Sequence, residues 1–269
     1  MRKRNFLRSL IENHDLIKLF TERDIKSRYK GSILGMLWTL VNPLMMLTVY
    51  TVIFSQVFTS KWGKTETSTS SIEFAINLFA GLIIFNIFAE TATRSASLIS
   101  SNPNYVKKIR FPIEILGVMI TGTAFIQAGI SLIILIIANF LEFGKIEHNL
   151  LAIPVLWSSY YIKILGMVWL ISTIGVFIRD LGQIVNVLVS ITMFVSPIFY
   201  PLEILPDTLR SIVVINPLAR TIEQTRDIVI RGDMPRIDSI IIELVISVVW
   251  CEVCYIILRR SHRMFADRL

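Results

Sequence analysis

Six long apolar stretches constrain the fold of this chain more than any other feature of its sequence. An α-helix needs about 20 mostly apolar residues to cross roughly 30 Å of hydrocarbon. The apolar stretches run over 33–58, 74–98, 113–141, 150–178, 184–205 and 239–258. The sequence therefore predicts an all-α integral membrane protein with six transmembrane helices.

The basic residues of the chain fit membrane topology better than nucleic-acid binding. Hydrophobic residues make up 54% of the 269 residues and charged residues only 17%, whereas ordinary soluble domains carry about 25% charged residues. The net charge of +7 comes from lysines and arginines that cluster at the ends of the apolar stretches instead of on one soluble face. We therefore expect membrane lipids, and no nucleic acid, as partners of this chain.

The distribution of basic residues predicts the orientation. Short cytoplasmic loops of membrane proteins are enriched in lysine and arginine, and the segment before the first apolar stretch is rich in both. We predict that both termini are cytoplasmic. The expected parts are a cytoplasmic segment over 1–32, a six-helix transmembrane domain over 33–258 and a cytoplasmic tail over 259–269.

The N-terminal segment contains an amphipathic pattern. Apolar Leu16, Leu19, Phe20 and Ile25 fall on one helical stripe among basic residues, which is typical of an interfacial helix lying on lipid headgroups. The alternative is a solvated basic tail.

The segment between the last two apolar stretches predicts structure at the outer mouth. Residues 196–206 read SPIFYPLEILP, which is too proline-rich for one smooth helix. In residues 216–232, Pro217 indicates a helix start and Gly232 a helix stop, and Leu218, Ile222, Thr225 and Val229 share one stripe. We expect a re-entrant or membrane-surface helix there.

Motifs for catalysis and nucleotide binding are missing from the sequence. No G-x-x-x-x-G-K-[ST] phosphate loop occurs, so any ATPase is a separate chain. Cys251 and Cys254 lack a second ligand pair for zinc, and the three histidines are scattered. We therefore predict no catalytic residue, no metal site and no cofactor in this chain, and an enzyme is disfavoured.

Charged residues within apolar stretches are few. Glu90 and Arg94 are four residues apart, in the order that favours an ion pair on one helix face, and a structural pair is expected. Lys163 is expected to extend its ammonium to the outer interface.

Aromatic residues suggest a pore lining. Faces of aromatic rings stack on sugar rings without a fixed register, which suits a sliding polymer. Packing against lipid or a neighbouring helix is the alternative. The predicted pore-lining residues are Tyr50, Phe54, Phe58, Phe194, Phe199 and Tyr200.

Four segments together resemble one known family. They are RDIKSRYKGSILGMLWTLVNP at 23–43, NPNYVKKIRFP at 102–112, the Arg179-Asp180 pair and NPLARTIEQTRDIVIRG at 216–232. The family they resemble is the ABC-2 type permeases that export lipid-linked polysaccharides. In that family, the first segment is similar to the entrance to the first span and the second to the cytoplasmic coupling segment. The third is similar to the loop before the fifth span, and the fourth to the outer gate helix.

The resemblance implies a homodimer of permeases in the bacterial inner membrane, bound to two copies of an ABC ATPase that holds ATP and magnesium. It implies undecaprenyl-linked polysaccharide as cargo, O-antigen before teichoic acid or capsule. The alternatives are a small-molecule ABC-2 exporter and a membrane enzyme of glycan assembly. The implied sites are ATPase coupling at Asn104, Tyr105, Lys107, Lys108 and Arg110, lipid-pyrophosphate access at Arg23, Lys26, Arg28 and Lys30, and the outer gate at Pro217, Arg220, Glu223 and Arg226.

Overall fold

A computed structural model describes residues 6–57, 71–106, 111–145, 148–265 and 268, and the regular structure in these ranges is helical. The predicted all-α class is confirmed. The helices are α1 (Phe6–Glu12), α2 (His14–Arg28), α3 (Trp38–Val57), α4 (Ser71–Ser95), α5 (Pro103–Val106), α6 (Glu114–Phe143), α7 (Ile153–Phe177), α8 (Leu181–Val195), α9 (Asp207–Ile215), α10 (Pro217–Arg226) and α11 (Ile237–Phe265). Short 3₁₀ turns at Gly35–Leu37, His148–Ala152 and Leu202–Ile204, and a π-helical turn at Asp227–Arg231, join them.

Five helical segments in the described ranges are long and apolar enough to cross a bilayer. They are Gly35–Ile53, Ile72–Ser95, Glu114–Phe143, His148–Phe177 and Ile237–His262. The apolar helix α8 has 15 residues, or about 22 Å at 1.5 Å per residue. It corresponds to the predicted stretch 184–205.

The predicted end of that stretch, at residue 205, is wrong. Helix α8 ends at Val195, and Ser196 takes an extended conformation. Pro197 follows, and the residue before a proline disfavours helical backbone. Pro43, in contrast, lies inside helix α3, which continues from Trp38 to Val57.

Helix α4 forms the centre of the bundle, because it packs against α3, α6, α7, α8 and α10. Its inner face is fully buried at Ile76, Leu78 and Ile84. Helices α7 and α11 form the other close pair, in which Gly166 lets the Trp250 ring approach the α7 backbone. Because glycine has no side chain, the two long helices can approach each other closely at this position.

Helices α3 and α8 each leave an apolar face uncovered in the single chain. On α3, Met45, Val49 and Val52 are exposed, and on α8, Val187 and Phe194 are exposed. Apolar surface of this kind requires lipid or another protein against it.

The N-terminal helix α2 lies against the helical bundle. Helix α2 packs against α6, where Thr21 lies beside Gly122. Phe20 and Thr21 are buried, whereas Leu16 and Leu19 are exposed. Phe20 of the predicted stripe thus contacts protein while the two leucines do not, and the interfacial position of α2 stays a prediction. Asp24 and Arg28 extend the packed face toward α4, which sequence periodicity of apolar residues alone does not detect.

Helix α1 packs near the first residue of α6 and the C-terminal half of α11. The Phe6 side chain is 2% exposed, and its ring lies edge-on to Trp169 with centroids 6.3 Å apart. Ser9 Oγ donates to Glu114 Oε1 at 2.6 Å, and the Phe6 amide donates to Glu252 Oε2 at 3.3 Å.

Candidate functional site

A polar face runs along the C-terminal part of α4, toward the predicted cytoplasmic side. Asn86, Glu90 and Thr93 recur at helical spacing, and Ser97 and Ser100 continue the series through the turn after α4. Glu90 is partly buried and the other four are exposed. Polar side chains within a span are costly against hydrocarbon and mark water-filled or substrate paths. This surface, named the α4 polar face, therefore requires a polar environment.

Side chains from α6 and α8 flank the α4 polar face. Gln127 and Ser131 of α6 line a cavity of about 270 Å³ together with Asn86 and Glu90. On the α8 side, Thr93 Oγ1 donates to Asn186 Oδ1 at 3.3 Å. Amides, hydroxyls and a carboxylate offer both donors and acceptors, a combination that suits a hydroxyl-rich molecule.

The aromatic residues predicted to line a pore have varied surroundings. Tyr50 is half-buried on α3. Phe194 is 70% exposed and stacks on Phe199 with ring centroids 6.4 Å apart. Tyr200 donates its hydroxyl to the Phe194 carbonyl at 3.0 Å. Phe58 and the Phe54 side chain lie outside the described residues, and the pore-lining role stays a prediction.

An ionic network joins α2 to α4. The predicted pair is confirmed, with Arg94 Nη1 3.2 Å from Glu90 Oε1. The sequence did not indicate that α2 contributes two further charges: Arg94 Nη2 lies 2.6 Å from Asp24 Oδ1, and Arg28 Nη2 pairs with Glu90 Oε1. Arg28 Nη1 also donates to Gln127 Oε1 at 3.1 Å. The network holds two cations and two anions, so its charges balance.

The pKa of Arg28 reflects this network. Burial by itself lowers the pKa of the guanidinium, but its hydrogen bond to Glu90 and the charges of Glu90 and Asp24 outweigh that effect, so the pKa is raised. Arg28 therefore stays charged throughout the physiological pH range.

We expect the Asp24–Arg94 pair to contribute a measurable coupling energy. In a double-mutant cycle, Asp24→Asn and Arg94→Gln together should cost less than the sum of the single changes, by about 1 kcal/mol or more. The measurement is the unfolding free energy of the purified chain in detergent.

The exposed Arg8–Glu12 pair of α1, at 2.8 Å, is the control for that cycle. Such surface pairs contribute about 0.3–0.5 kcal/mol. An equal coupling energy for the two pairs would contradict a special role for the α2–α4 network.

The four residues predicted to bind lipid pyrophosphate differ in their contacts and exposure. Arg23 lies over the Phe20 ring, 4.6 Å from its centroid, and donates to Tyr105 Oη at 3.0 Å. Arg28 belongs to the ionic network, and Lys26 and Lys30 are exposed.

The predicted coupling segment is connected to α2. The Tyr105 ring lies 5.5 Å from Phe20 and 4.7 Å from Phe111, between centroids, and Asn104 is exposed on α5. Helix α5 is therefore connected to α2 by the contacts of Tyr105 with Phe20 and Arg23. Lys107, Lys108 and Arg110 lie outside the described residues.

The segment predicted to lie at the outer mouth begins and ends where the sequence predicted. Helix α10 begins at Pro217, with the Asn216 side chain capping the Leu218 amide at 3.0 Å. The following π turn ends at Gly232, which has φ +72°. The predicted stripe at Leu218, Ile222, Thr225 and Val229 is buried, so this part of the prediction is confirmed.

The predicted gate residues divide into a buried and an exposed group. Arg226 is fully buried and donates to the carbonyls of Asn77, Pro197 and Ile198 at 2.7–3.0 Å. It also lies 2.8 Å from Glu223 Oε1. Arg226 thus fastens α10 to α4 and to the unwound chain after α8. Arg220, in contrast, is exposed and donates to Ser239 Oγ.

The expectation for Lys163 is wrong. Its Nζ lies 2.5 Å from Glu243 Oε1 on α11, and both side chains are largely buried. Because the two residues are 80 positions apart, neither local spacing nor helix periodicity predicts the pair.

Comparison with known proteins identifies the class of this chain. Residues 15–230 match the ABC-2 type transporter family. The chain belongs to this family, whose members are membrane permeases.

Several relatives carry specific names. The chain is 30% identical over 226 residues to an O-antigen export system permease protein of Klebsiella pneumoniae, covering 82% of each protein. It is 25% identical over 265 residues to one of Myxococcus xanthus, covering 98% of each. It is 27% identical over 214 residues to a polysialic acid transport protein of Escherichia coli, covering 78% of this chain and 79% of the relative.

Proposed function

We propose that this chain is the permease subunit of an ATP-driven exporter that moves undecaprenyl-linked polysaccharide, O-antigen above all, across the bacterial inner membrane. Family membership and the export functions in the relatives' names support this function. The observation that carries it is the α4 polar face, because a hydroxyl-rich polymer needs hydrogen-bonding groups along a path through hydrocarbon. The chain makes and breaks no covalent bond.

The path forms between two copies of the chain. The exposed apolar faces of α3 and α8 supply the surface on which a second copy packs or lipid lies. The α4 polar face borders α8 through the Thr93–Asn186 hydrogen bond. Two such faces enclose a conduit whose walls offer amide and hydroxyl groups to sugar hydroxyls. The aromatic side chains at the end of α8 stack on the sugars.

Separate ATPase subunits, two copies for the dimer, bind ATP and magnesium and supply the work. They dock on the coupling segment, and their closure displaces α5. The Tyr105 contacts with Phe20 and Arg23 pass that displacement to α2, and the Asp24–Arg94 and Arg28–Glu90 pairs pass it to α4. Two packed halves thereby shift between closed and open arrangements.

Both termini are cytoplasmic in this proposal. Helix α8 completes six spans, while α9 and α10 form a re-entrant structure at the outer mouth. Helix α2 lies at the membrane surface with Leu16 and Leu19 toward lipid, and its cations meet arriving phosphate groups. Pro217, Arg220, Glu223 and Arg226 belong to the segment that controls the exit.

Capsular polysaccharide is the second candidate cargo. The relative that transports polysialic acid favours it. Both cargoes are hydroxyl-rich chains, so the α4 polar face suits either one.

Depletion of the chain in its host tests the function. We expect lipid-linked polysaccharide to accumulate on the cytoplasmic side and surface polysaccharide to fall, and quantification of both pools after extraction measures this. Complementation with the unaltered chain is the control. A small-molecule exporter predicts no accumulation, so unchanged pools after complete depletion would contradict the proposal.

A further inference from the structure

A second polar cavity lies at the inner end of the α4 polar face. It has a volume of about 290 Å³, and its lining includes Thr93, Ser97, Ser100, Arg179 and Arg268. Ala96 and Gly175 also line it, where α4 and α7 approach each other. Ser97 also lines a neighbouring cavity of about 300 Å³ together with Asp24 and Arg94 of the ionic network. Among the described residues, none of those predicted to bind pyrophosphate lines the cavity of 290 Å³.

The described residues that line this cavity carry positive charge. Two of them are arginines, and none of these described residues is an aspartate or a glutamate. Asp180, next to Arg179 in sequence, is exposed and does not line the cavity. Arginine guanidinium groups suit phosphate oxygens because they donate paired hydrogen bonds in a planar fork.

Further donors surround the same space. Thr93, Ser97 and Ser100 carry hydroxyl groups. Gly182, in the first turn of the 15-residue helix α8, lines the cavity, and the space beside its Cα is open. The amides of Leu181 and Gln183 in that turn donate to the carbonyls of Ile178 and Asp180 at 3.3 and 3.0 Å, so the arginines and the hydroxyl groups are the donors that this cavity offers to an anion.

We propose that this cavity binds a phosphate or diphosphate group, with Arg179 as its main cationic ligand and Arg268 and the Ser97 and Ser100 hydroxyls as further donors. The role of this site in transport rests on the proposed function. A diphosphate held here places the attached sugar at Ser97, Thr93 and Glu90, which form the inner part of the α4 polar face. The chemistry is shared by a polyprenyl diphosphate, a phospholipid headgroup and free pyrophosphate.

Binding to the purified full-length chain in detergent tests the site. The probe is inorganic pyrophosphate measured by titration calorimetry, followed by competition with polyprenyl diphosphate and with phosphatidylglycerol. We expect Arg179→Gln to weaken pyrophosphate binding about tenfold or more, since it removes a charge-assisted contact. Arg179→Lys should recover part of the affinity, because it keeps the charge without the fork.

Arg210→Gln is the matched control, because it removes one exposed arginine from α9. It should change the affinity less than about threefold, as expected for a distant surface charge under salt screening. Displacement by polyprenyl diphosphate would support the cargo as the source, and displacement only by phosphatidylglycerol would support bulk lipid. Equal pyrophosphate affinity for unaltered chain and Arg179→Gln, or no binding at all, would overturn the site.

This experiment is separable from the test of the proposed function. If depletion causes glycan accumulation while Arg179→Gln binds pyrophosphate normally, only the phosphate site is wrong. If Arg179 proves essential for binding while depletion changes no glycan pool, only the proposed function is wrong.

Discussion

Gly175→Ala is expected to destabilise the chain by about 3 kcal/mol, at the upper end of the cost of overpacking. A Cβ atom at Gly175 would lie 2.0 Å from the Ala96 carbonyl oxygen. The obstacle is backbone of the α4 region, so no rotamer change relieves the clash and the helices must separate. The measurement is the unfolding free energy of the purified chain in detergent, with the yield of inserted protein as a second readout.

Gly129→Ala is the control, because it also places alanine inside a long apolar helix. A Cβ atom there meets nothing within 4 Å, and alanine is favoured over glycine in helices by about 1 kcal/mol. We expect unchanged or slightly higher stability. Equal behaviour of the two variants would show that α4 and α7 do not approach each other so closely.

Arg226→Met is expected to cost about 3–5 kcal/mol of stability, the range seen when one partner of a buried polar network is removed. Three carbonyl groups, those of Asn77, Pro197 and Ile198, lose the same donor group. Each buried carbonyl without a partner costs about 1–3 kcal/mol. The unfolding free energy in detergent measures the loss, and a protease accessibility assay of the α9–α10 segment measures local opening.

Arg226→Lys and Arg220→Gln complete the experiment. Lysine keeps the charge, but its single ammonium does not reproduce the fork, so we expect partial recovery. Arg220 lies on the same helix and is exposed, so its change should stay within about 0.5 kcal/mol. Similar losses for Arg226→Met and Arg220→Gln would contradict the role of Arg226 as the fastening residue.

The positions of the long helices were predictable from hydropathy, and some helix ends were predictable from local stereochemistry. The apolar stretches corresponding to α4, α6 and α7 agree with the helices within three residues at each end. Pro217 and Gly232 marked the limits of the helical segment after α9, because a proline suits the first turn of a helix and a glycine suits the left-handed residue that ends one. The end of α8 was missed because the apolar composition continues past Ser196 although the helix does not.

The contacts of the candidate site were predictable only where they are local. Glu90–Arg94 is an i,i+4 pair, and spacing alone predicts it. Arg28–Glu90 and Lys163–Glu243 join residues 62 and 80 positions apart, and they depend on how helices cross. The same applies to Arg226, whose three carbonyl partners come from two other parts of the chain. A charged residue within an apolar stretch therefore indicated that a polar partner exists, but the sequence did not identify that partner.

The central claim is that this chain forms a conduit driven by a separate ATPase. The most direct measurement uses vesicles that contain the purified chain, with or without its ATPase subunit, and a polyprenyl-diphosphate-linked glycan carrying a fluorophore. The account predicts transfer of the glycan across the bilayer only when the ATPase and hydrolysable ATP are present. Transfer by the chain without the ATPase, or none by an assembled complex that hydrolyses ATP, would contradict it.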